Sequence, residues 1–252
     1  MTPDGQFQYL KMPFGLCNAP ASFQRAMNIV LGNLVGKFLT VYINDIQVYS
    51  ATFGDHLQHL QEVLTRMRRH KLFLKPKKCT FGSHEMKYLG FVLTETGLAT
   101  DSTKVKDTAE FPRPTNLTEL RAFLGLATYY RQFVQNFATI ASPLYQLLRK
   151  DQRFEWKQPQ ELVFKTLKRK LTEAPILIRP NWERKFTLYT DASSLGLGAV
   201  LTQQDDEGRE RVVLYASRRA GRIESHYEAT KLECLAVVWA VKQLRHYLPS
   251  TS

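Results

Sequence analysis

Apolar positions spaced three and four residues apart predict two helices in the first eighty residues. The first is expected over residues 21–34, directly after Pro20, and the second over residues 56–71. The apolar face of the second helix is expected to comprise Leu57, Leu60, Leu64 and Met67. Each segment should therefore pack one side against a core.

Short runs rich in β-branched and aromatic residues predict strands in the same part of the chain. Residues 37–43 and 46–50 are two such runs, and the Asn44-Asp45 pair between them indicates a two-residue hairpin turn. Residues 86–93 predict one further strand, which ends before Glu95-Thr96-Gly97. Strands and helices are thus expected to alternate here.

The middle of the chain is predicted to be helical after the proline-rich joint at residues 111–114. Asn116 stands three residues before Glu119, a spacing typical of a capping box. The helix behind it is expected to extend over residues 116–137, with an apolar stripe of Leu120, Phe123, Ala127, Tyr130, Val134 and Phe137. A second helix is expected over residues 159–171.

The pattern changes again after Pro180. Three strands in a meander are predicted over residues 186–190, 199–203 and 211–216. The acidic, glycine-containing residues 205–208 predict a hairpin loop, and residues from about 226 to 248 predict a helix with an apolar centre. The fold class is therefore α+β.

Composition adds a charge argument to this picture. The 252 residues are 44% hydrophobic and 12% aromatic, which is typical of a globular chain with one large or two modest domains. The net charge of +12 favours a polyanionic partner, most often nucleic acid. A basic surface that serves only solubility remains the alternative.

Cysteine, histidine and hydropathy patterns point away from several classes of protein. Cys17, Cys79 and Cys234 are odd in number and widely spaced, which favours reduced thiols in an intracellular setting over a disulfide framework. His56 and His59 are interpreted as helix-surface residues because no second pair completes a zinc site. No apolar run reaches the length of a membrane span, and the first residues are typical of a turn rather than a signal peptide.

The turn at Tyr42-Ile43-Asn44-Asp45 has two interpretations. Asn and Asp are favoured turn residues, so an ordinary hairpin explains them. A tight turn between two strands is also a rigid platform that could direct a carboxylate towards Mg²⁺. Nucleotidyl transfer uses two metal ions about 3.5–4 Å apart, which requires several converging carboxylates.

Longer motifs around this turn resemble a known family. The tract QYLKMPFGLCNAPASFQ at residues 8–24, the tract KYLGF at residues 87–91 and the Tyr-x-x-Asp turn are similar, in order and spacing, to the palm of reverse transcriptases from gypsy-type LTR retrotransposons. The similarity continues through LRAFLGL at residues 120–126 and the Tyr129-Tyr130-Arg131 tract. It ends in TDAS at residues 190–193, which is similar to the linked RNase H, and so covers essentially the whole chain.

The resemblance implies a domain order and an activity. It implies part of a right-hand polymerase palm over residues 1–98 and a thumb/connection over residues 99–180. A partial RNase H-like mixed sheet with one helix is implied over residues 181–252. The chain is thus expected to be a piece, truncated at both ends, of a Pol polyprotein with RNA-directed DNA polymerase and RNase H activities.

The family motifs also imply roles for individual residues. The nucleotide-binding positions implied for deoxynucleoside triphosphates are Phe14, Gly15, Gln24 and Tyr42. Phe14 would stack against the sugar of the incoming nucleotide, although a core aromatic is the alternative that its residue type alone favours. The implied primer grip, which positions the 3′ end of the growing strand, comprises Tyr88, Leu89 and Gly90.

The metal motif departs from the family pattern. The family has Tyr-x-Asp-Asp, whereas this chain has Asn44 before Asp45. Asparagine is neutral and offers one carbonyl oxygen to a hard cation. The family's other catalytic Asp would lie N-terminal to Met1, so Asp45 is expected to be the one polymerase carboxylate and the chain is expected not to polymerise DNA.

Two acidic residues resemble the RNase H metal ligands of the family. Asp191 follows a predicted strand, and Glu233 lies in a predicted helix that is otherwise apolar near its centre. A turn residue and a surface-facing glutamate are the respective alternatives. The family's further Asp residues would follow the last helix, so this domain is expected to be marginally stable alone, with fast amide exchange beyond about residue 180.

A basic run, residues 66–78, carries Arg66, Arg68, Arg69, Lys71, Lys75, Lys77 and Lys78 without an acid. It is either a solvated face or a contact with the phosphate backbone. The expected partners are RNA/DNA hybrid and DNA primer-template, without a membrane, in a cytoplasmic retroelement particle or the nucleus. The alternative function is a non-catalytic nucleic-acid-binding protein or a complementing subunit that pairs with full-length Pol.

Overall fold

A computed structural model describes residues 5–10, 12–13, 15–149 and 152–248. Strands and helices are mixed throughout, which confirms the α+β class. The chain divides into two compact units, Met1–Gly82 and Ser83–Ser252. Each unit has its own buried clusters.

The N-terminal unit packs two helices against a hairpin. Helix α1 (Ala19–Leu31) is followed by strands β1 (Leu39–Tyr42) and β2 (Asp45–Val48), which pair antiparallel, and then by helix α2 (Phe53–Arg69). The buried residues that hold these elements together are Met27, Leu31, Leu34, Leu39, Val63 and Met67. This core fixes the hairpin against α1.

Both predicted N-terminal helices are present, with different boundaries. Pro20 lies inside the first turn of α1, where its missing N–H costs nothing, so the helix begins before it. Helix α2 begins earlier than predicted because the Thr52 hydroxyl accepts a 3.1 Å hydrogen bond from the Asp55 N–H. The predicted apolar face was partly wrong: Leu57 and Leu64 are exposed, and Val63 packs in the core instead.

The hairpin turn differs from the predicted one by one residue. Tyr42 pairs with Asp45, so the turn residues are Ile43 and Asn44 rather than Asn44 and Asp45. Asp45 is therefore the first residue of β2. Ile43 adopts φ 52, a left-handed conformation that is strained for a β-branched side chain.

The C-terminal unit begins with a small antiparallel sheet. Its four strands, in spatial order, are β3 (Met86–Tyr88), β4 (Phe91–Leu93), β5 (Gly97–Thr100) and β6 (Leu177–Ile178). The prediction of one strand over residues 86–93 was wrong, because Leu89 and Gly90 form a turn that reverses the chain. Both turn residues have positive φ, 49 and 72.

In the described part of this segment, five helices precede the last sheet, with a 3-10 turn at Arg131–Phe133 between the second and third of them. They are α3 (Ser102–Glu110), α4 (Leu117–Tyr129), α5 (Phe137–Ile140), α6 (Ser142–Gln146) and α7 (Gln158–Thr172). The predicted capping residue is confirmed: Asn116 Oδ1 accepts a 3.0 Å hydrogen bond from the Glu119 N–H. The helix predicted over residues 159–171 is confirmed as α7.

The single helix predicted over residues 116–137 is interrupted. Helix α4 ends at Tyr129, and Asn136 adopts a left-handed φ of 54 before α5. The predicted stripe is nevertheless buried at every position. The break turns Tyr130 and Phe133 towards Phe91, with ring centroids 5.5 and 5.9 Å away, so aromatic packing replaces a further helical turn.

The predicted meander is confirmed as a three-stranded antiparallel sheet. It comprises β7 (Thr187–Ala192), β8 (Gly196–Gln204) and β9 (Glu210–Arg219), followed by helix α8 (Ala229–Gln243). Alternate residues of β8, among them Leu197 and Leu201, pack in clusters with side chains of α8. Helix α5 and the 3-10 turn before it cover the opposite face. None of the described helices is long and apolar enough to span a membrane.

Candidate functional site

The Tyr42–Asp45 hairpin is fixed by one side chain of α1. Gln24 Oε1 accepts a 2.5 Å hydrogen bond from the Ile43 N–H, and Gln24 Nε2 donates to the Val41 carbonyl oxygen at 3.3 Å. These bonds compensate the strained turn residue and orient the residues that follow it. The family resemblance implied a nucleotide-binding role for Gln24 but did not indicate that it binds the hairpin backbone.

The tip of the hairpin offers few ligands for a metal ion. Asn44 and Asp45 are both exposed, and neither forms an ion pair with another described residue. One carboxylate and one neutral amide do not fit the donor set of a two-metal centre. No group of three or more His, Cys, Asp or Glu side chains in the described parts of the chain could hold a metal ion.

Of the other implied nucleotide-binding positions, Gly15 precedes α1 and Tyr42 ends β1. Phe14 is outside the described residues. Gly15 has φ +90, and a Cβ there would meet no atom within 4 Å, so the conformation and not crowding favours glycine. Tyr42 is 51% exposed on the hairpin, which leaves its ring accessible.

The implied primer-grip residues form the end of the β3–β4 hairpin. Tyr129 Oη donates to the Leu89 carbonyl oxygen, and Tyr130 Oη donates to the Gly90 carbonyl oxygen at 2.7 Å. The Phe91 ring stacks on Tyr129 with centroids 5.1 Å apart. Two tyrosines at the end of α4 thus fix both carbonyl groups of the turn.

Sequence reasoning missed this role of the tyrosine pair. Burial, and then the neighbouring Tyr129, raise the pKa of Tyr130 to about 12, so its hydroxyl remains a donor at physiological pH. The available signal was the Tyr129-Tyr130 tract, of which Tyr130 belongs to the predicted stripe. Only the tertiary fold shows that both hydroxyls reach the backbone of a distant hairpin.

Strand β3 is tied to α3 by a second polar contact. Lys87 Nζ donates to Asp101 Oδ1 at 2.8 Å, and the same carboxylate accepts from the Thr103 N–H at 3.0 Å as the N-cap of α3. The bond from Lys87, followed by that from the Thr103 hydroxyl, lowers the pKa of Asp101 to about 2. Lys87, the chain neighbour of Tyr88 in β3, is thus paired with a carboxylate that is ionised at neutral pH.

Asp191 and Glu233 occupy the third sheet and its helix. Asp191 is exposed on β7, and Asn136 Nδ2 donates to its Oδ2 at 3.3 Å. Glu233 is exposed in α8. Their chain neighbours, Ala192 and Leu232, pack together in one small cluster between β7 and α8.

Two carboxylates do not make a complete two-metal centre, which requires several converging acidic ligands. Across the described ranges, neither Asp191 nor Glu233 belongs to a group of three or more His, Cys, Asp or Glu side chains that could hold a metal ion.

The basic run is largely free of acidic partners. Arg66 pairs with Glu62 at 2.7 Å. The other six cations are exposed and make no ion pair with any described residue: Arg68, Arg69, Lys71, Lys75, Lys77 and Lys78. Apolar side chains also lie within the basic run. Leu72 packs against the core, whereas Phe73 is 93% exposed. This surface presents cations and an aromatic ring together.

Two protein families match the chain in the expected order. Residues 1–93 match the family described as reverse transcriptase (RNA-dependent DNA polymerase), and residues 156–252 match the RNase H-like domain found in reverse transcriptase. The retrovirus-related Pol polyprotein from transposon 297 of Drosophila melanogaster is 42% identical over 98% of this chain. The transposon Tf2-3 polyprotein of Schizosaccharomyces pombe is 33% identical over 99%.

Solved structures agree with the fold. The foamy viral protease-reverse transcriptase dRH in complex with double-stranded DNA covers 93% of this chain, with a TM-score of 0.81 and 24% identity, and the chain covers 41% of it. The foamy viral protein in complex with RNA/DNA hybrid gives a TM-score of 0.77 over 95% of this chain and 32% of its own. Among the curated relatives, the chain spans 23% of the transposon 297 polyprotein and 19% of the Tf2-3 polyprotein. The chain belongs to the reverse transcriptase and RNase H-like segment of gypsy-type LTR retrotransposon Pol polyproteins.

Proposed function

We propose that this chain binds RNA/DNA template-primer as part of a retroelement RNA-directed DNA polymerase with linked RNase H, and that alone it does not polymerise DNA. The observation that carries this proposal is the hairpin tip, where neutral Asn44 stands beside Asp45. Gln24 holds the turn in place by accepting a hydrogen bond from the Ile43 N–H, and Asn44 contributes no charge beside Asp45.

The division of labour along the chain follows the family motifs. Residues 1–98 act as palm, residues 99–180 as thumb/connection and residues 181–252 as the RNase H-like part. The nucleotide-binding surface comprises Phe14, Gly15, Gln24 and Tyr42, and it takes deoxynucleoside triphosphates. Tyr88, Leu89 and Gly90 contact the primer strand near its 3′ end.

Each of the two acidic sites contributes only part of a metal centre. Bound Mg²⁺ would stabilise the attacking and leaving oxygens of phosphoryl transfer. At the hairpin Asp45 would hold it, and at the third sheet Asp191 and Glu233 would hold it; among the described residues neither set is completed to three His, Cys, Asp or Glu ligands. The roles left to this chain's own residues are therefore to bind and orient nucleic acid.

The unpaired cations support nucleic-acid binding independently of catalysis. Six exposed cations that pair with no acidic side chain in the described ranges can each neutralise a phosphate, and the exposed ring of Phe73 can stack on a base. Foamy viral relatives of the fold are solved in complex with double-stranded DNA and with RNA/DNA hybrid. The same surface favours a second candidate function, a non-catalytic subunit that pairs with a full-length Pol in a retroelement particle or the nucleus.

Binding and extension should be measured on the same protein. Fluorescence anisotropy with a labelled RNA/DNA primer-template is expected to show saturable binding that weakens with salt. Incubation of that complex with deoxynucleoside triphosphates and Mg²⁺ or Mn²⁺ is expected to give no primer extension. Extension above background would refute the catalytic part of the proposal, and the absence of binding at low salt would refute the binding part. Stimulation of a full-length Pol by the added chain would favour the second candidate.

A further inference from the structure

A corner of the thumb/connection segment is seated on the RNase H-like sheet. The corner comprises residues 136–139, between the 3-10 turn and the end of α5. Its backbone is anchored where the Ala138 N–H donates to Ser217 Oγ of β9 at 3.0 Å. Asn136 has φ 54, a left-handed conformation that asparagine tolerates better than most residues. The corner thus packs against the sheet with a defined backbone conformation.

Two glycines of β8 receive this corner. A Cβ at Gly198 would collide with Asn136 Oδ1, and a Cβ at Gly196 would lie 2.7 Å from the Arg218 carbonyl oxygen of β9 and 2.8 Å from Thr139 Oγ1. Gly196 and Gly198 are two apart on one strand, so both present the same face to the corner. Their missing side chains form a seat that any larger residue would fill.

The Asn136 side chain, which packs against Gly198, also contacts the candidate carboxylate of Asp191. Asp191 pairs with Gly198 across β7 and β8, and the absent side chain at Gly198 leaves space for the Asn136 amide beside Asp191. Asn136 Nδ2 donates to Asp191 Oδ2 at 3.3 Å, with Oδ1 of the asparagine turned towards Gly198. The hydrogen bond therefore crosses from the thumb/connection segment to the candidate RNase H-like site.

We propose that Asn136 is a positioning residue for Asp191: its amide holds Oδ2 of the carboxylate, fixes the side-chain rotamer and couples that rotamer to the seating of the corner. The functional meaning of this coupling rests on the proposed role of Asp191. The contact itself depends on neither a metal nor nucleic acid. A movement of the corner away from Gly198 changes the orientation of Asp191.

The residue type at position 136 follows from this role. Alanine lacks the donor, and aspartate would place a second negative charge against Asp191. Glutamine would retain the amide but would have to accommodate one more methylene on the glycine seat. Asparagine combines the amide, the length and the tolerance of a left-handed backbone.

The rotamer of Asp191 tests the proposal directly. Three-bond couplings from backbone nitrogen and carbonyl carbon to Asp191 Cγ, measured by NMR on the full chain, should show one χ1 rotamer. In Asn136→Ala they are expected to average over at least two rotamers. Asn116→Ala is the matched control, because it removes the N-cap of α4 and lowers stability without touching Asp191. Unchanged couplings in Asn136→Ala, or equal averaging in the control, would overturn the proposal.

The reverse substitution keeps the test decisive if Asn136→Ala fails to fold. Asp191 is exposed, so Asp191→Ala should fold. Hydrogen exchange of the Asn136 side-chain amide is expected to accelerate about threefold to tenfold, as for the loss of one hydrogen bond. Asp191→Asn retains an acceptor oxygen and should restore much of the protection. Equal exchange in all three proteins would contradict the contact, whatever the outcome of hybrid binding.

Discussion

Tyr130 Oη donates a 2.7 Å hydrogen bond to the carbonyl oxygen of Gly90, which joins the end of α4 to the turn of the β3–β4 hairpin. Tyr129 does the same for Leu89, so the turn that carries the implied primer grip is held at two adjacent carbonyl groups. The position of a primer terminus would thus be set by α4 as well as by the hairpin itself. This relationship can be tested without catalysis.

Removal of the Tyr130 hydroxyl should weaken this joint. Tyr130→Phe retains the ring that packs against Phe91 but leaves the Gly90 carbonyl without its partner. We expect a loss of about 1 kcal/mol in the unfolding free energy. Tryptophan fluorescence during urea unfolding reports this loss, since Trp156, Trp182 and Trp239 all lie in the C-terminal unit.

Tyr145→Phe, which removes a hydroxyl bonded to Thr128 instead, is the matched control for primer-template binding. A Tyr130→Phe protein that binds a recessed primer end like wild type would contradict the positioning role.

Gly90 is expected to be less replaceable than another glycine of similar conformation. Gly90 has φ +72 and Gly208 has φ +74, so alanine is strained at both. A Cβ at Gly90 would also lie 3.3 Å from Tyr129 Cε1 and from Tyr130 Oη. A Cβ at Gly208 would meet no atom within 4 Å. Both substitutions should cost about 1 kcal/mol for the backbone, and Gly90→Ala should cost roughly 1 kcal/mol more. Equal unfolding midpoints would show that the tyrosines move aside freely.

The sequence predicted the parts of this site better than their connections. The Tyr42–Asp45 hairpin, the β7–β9 meander and the Asn116 cap follow from local patterns, and the structure contains all three. The split of residues 86–93 at Leu89 was missed because a non-glycine residue takes φ 49 there. That conformation is stabilised by hydroxyl groups forty residues away, which no local pattern contains.

The candidate carboxylates show the same limit. Asp45 and Asp191 were identified from motifs, but the side chains that orient their surroundings were not. Gln24 binds the hairpin backbone from α1, and Asn136 reaches Asp191 from a corner that the sequence predicted to be helix. The stripe of apolar residues over 116–137 is compatible with both a continuous and a broken helix, so burial was predicted correctly while the left-handed residue was not.

Acid should destabilise the C-terminal unit through Asp101. Its pKa is lowered to about 2 by Lys87 and Thr103, so its contribution to stability is fully present above the unfolded pKa of about 3.8 and is lost as pH falls through 2. Because the Lys87 side chain is 60% exposed, we expect a loss of about 1 kcal/mol. Glu224, whose pKa the Arg218 guanidinium also lowers to about 2, adds a parallel loss. The difference in unfolding free energy between wild type and Asp101→Asn, followed with pH, isolates the contribution of Asp101. If the unfolding free energies of the two proteins depended on pH identically from pH 5 to 2, Asp101 would not be the group responsible.

Restoring the carboxylate at the hairpin tip should strengthen metal binding. Asn44→Asp places a second negative charge beside Asp45 at an exposed turn, where it displaces no hydrogen-bond partner in the described residues. We expect Mn²⁺ to bind about tenfold more tightly, as judged from the free-ion signal in electron paramagnetic resonance. Asp45→Asn should change the affinity in the opposite direction. If Asn44→Asp binds Mn²⁺ no better than wild type, the hairpin tip is not a metal platform.

The salt dependence of hybrid binding should identify the surface that contacts phosphate. Replacing Lys77 and Lys78 by Gln removes two exposed cations from the basic run. Replacing Lys104 and Lys165 by Gln removes the same charge from two lysines that pair with Asp107 and Glu161, at 3.4 and 3.2 Å. Each phosphate contact contributes about 0.9 to the log–log slope of affinity against salt, so the first variant should lose up to about 1.8 and the second much less. Anisotropy titrations between about 50 and 200 mM salt measure both slopes. Equal slopes in the two variants would mean that net charge, rather than residues 66–78, governs binding, because the variants differ only in where the charge is lost.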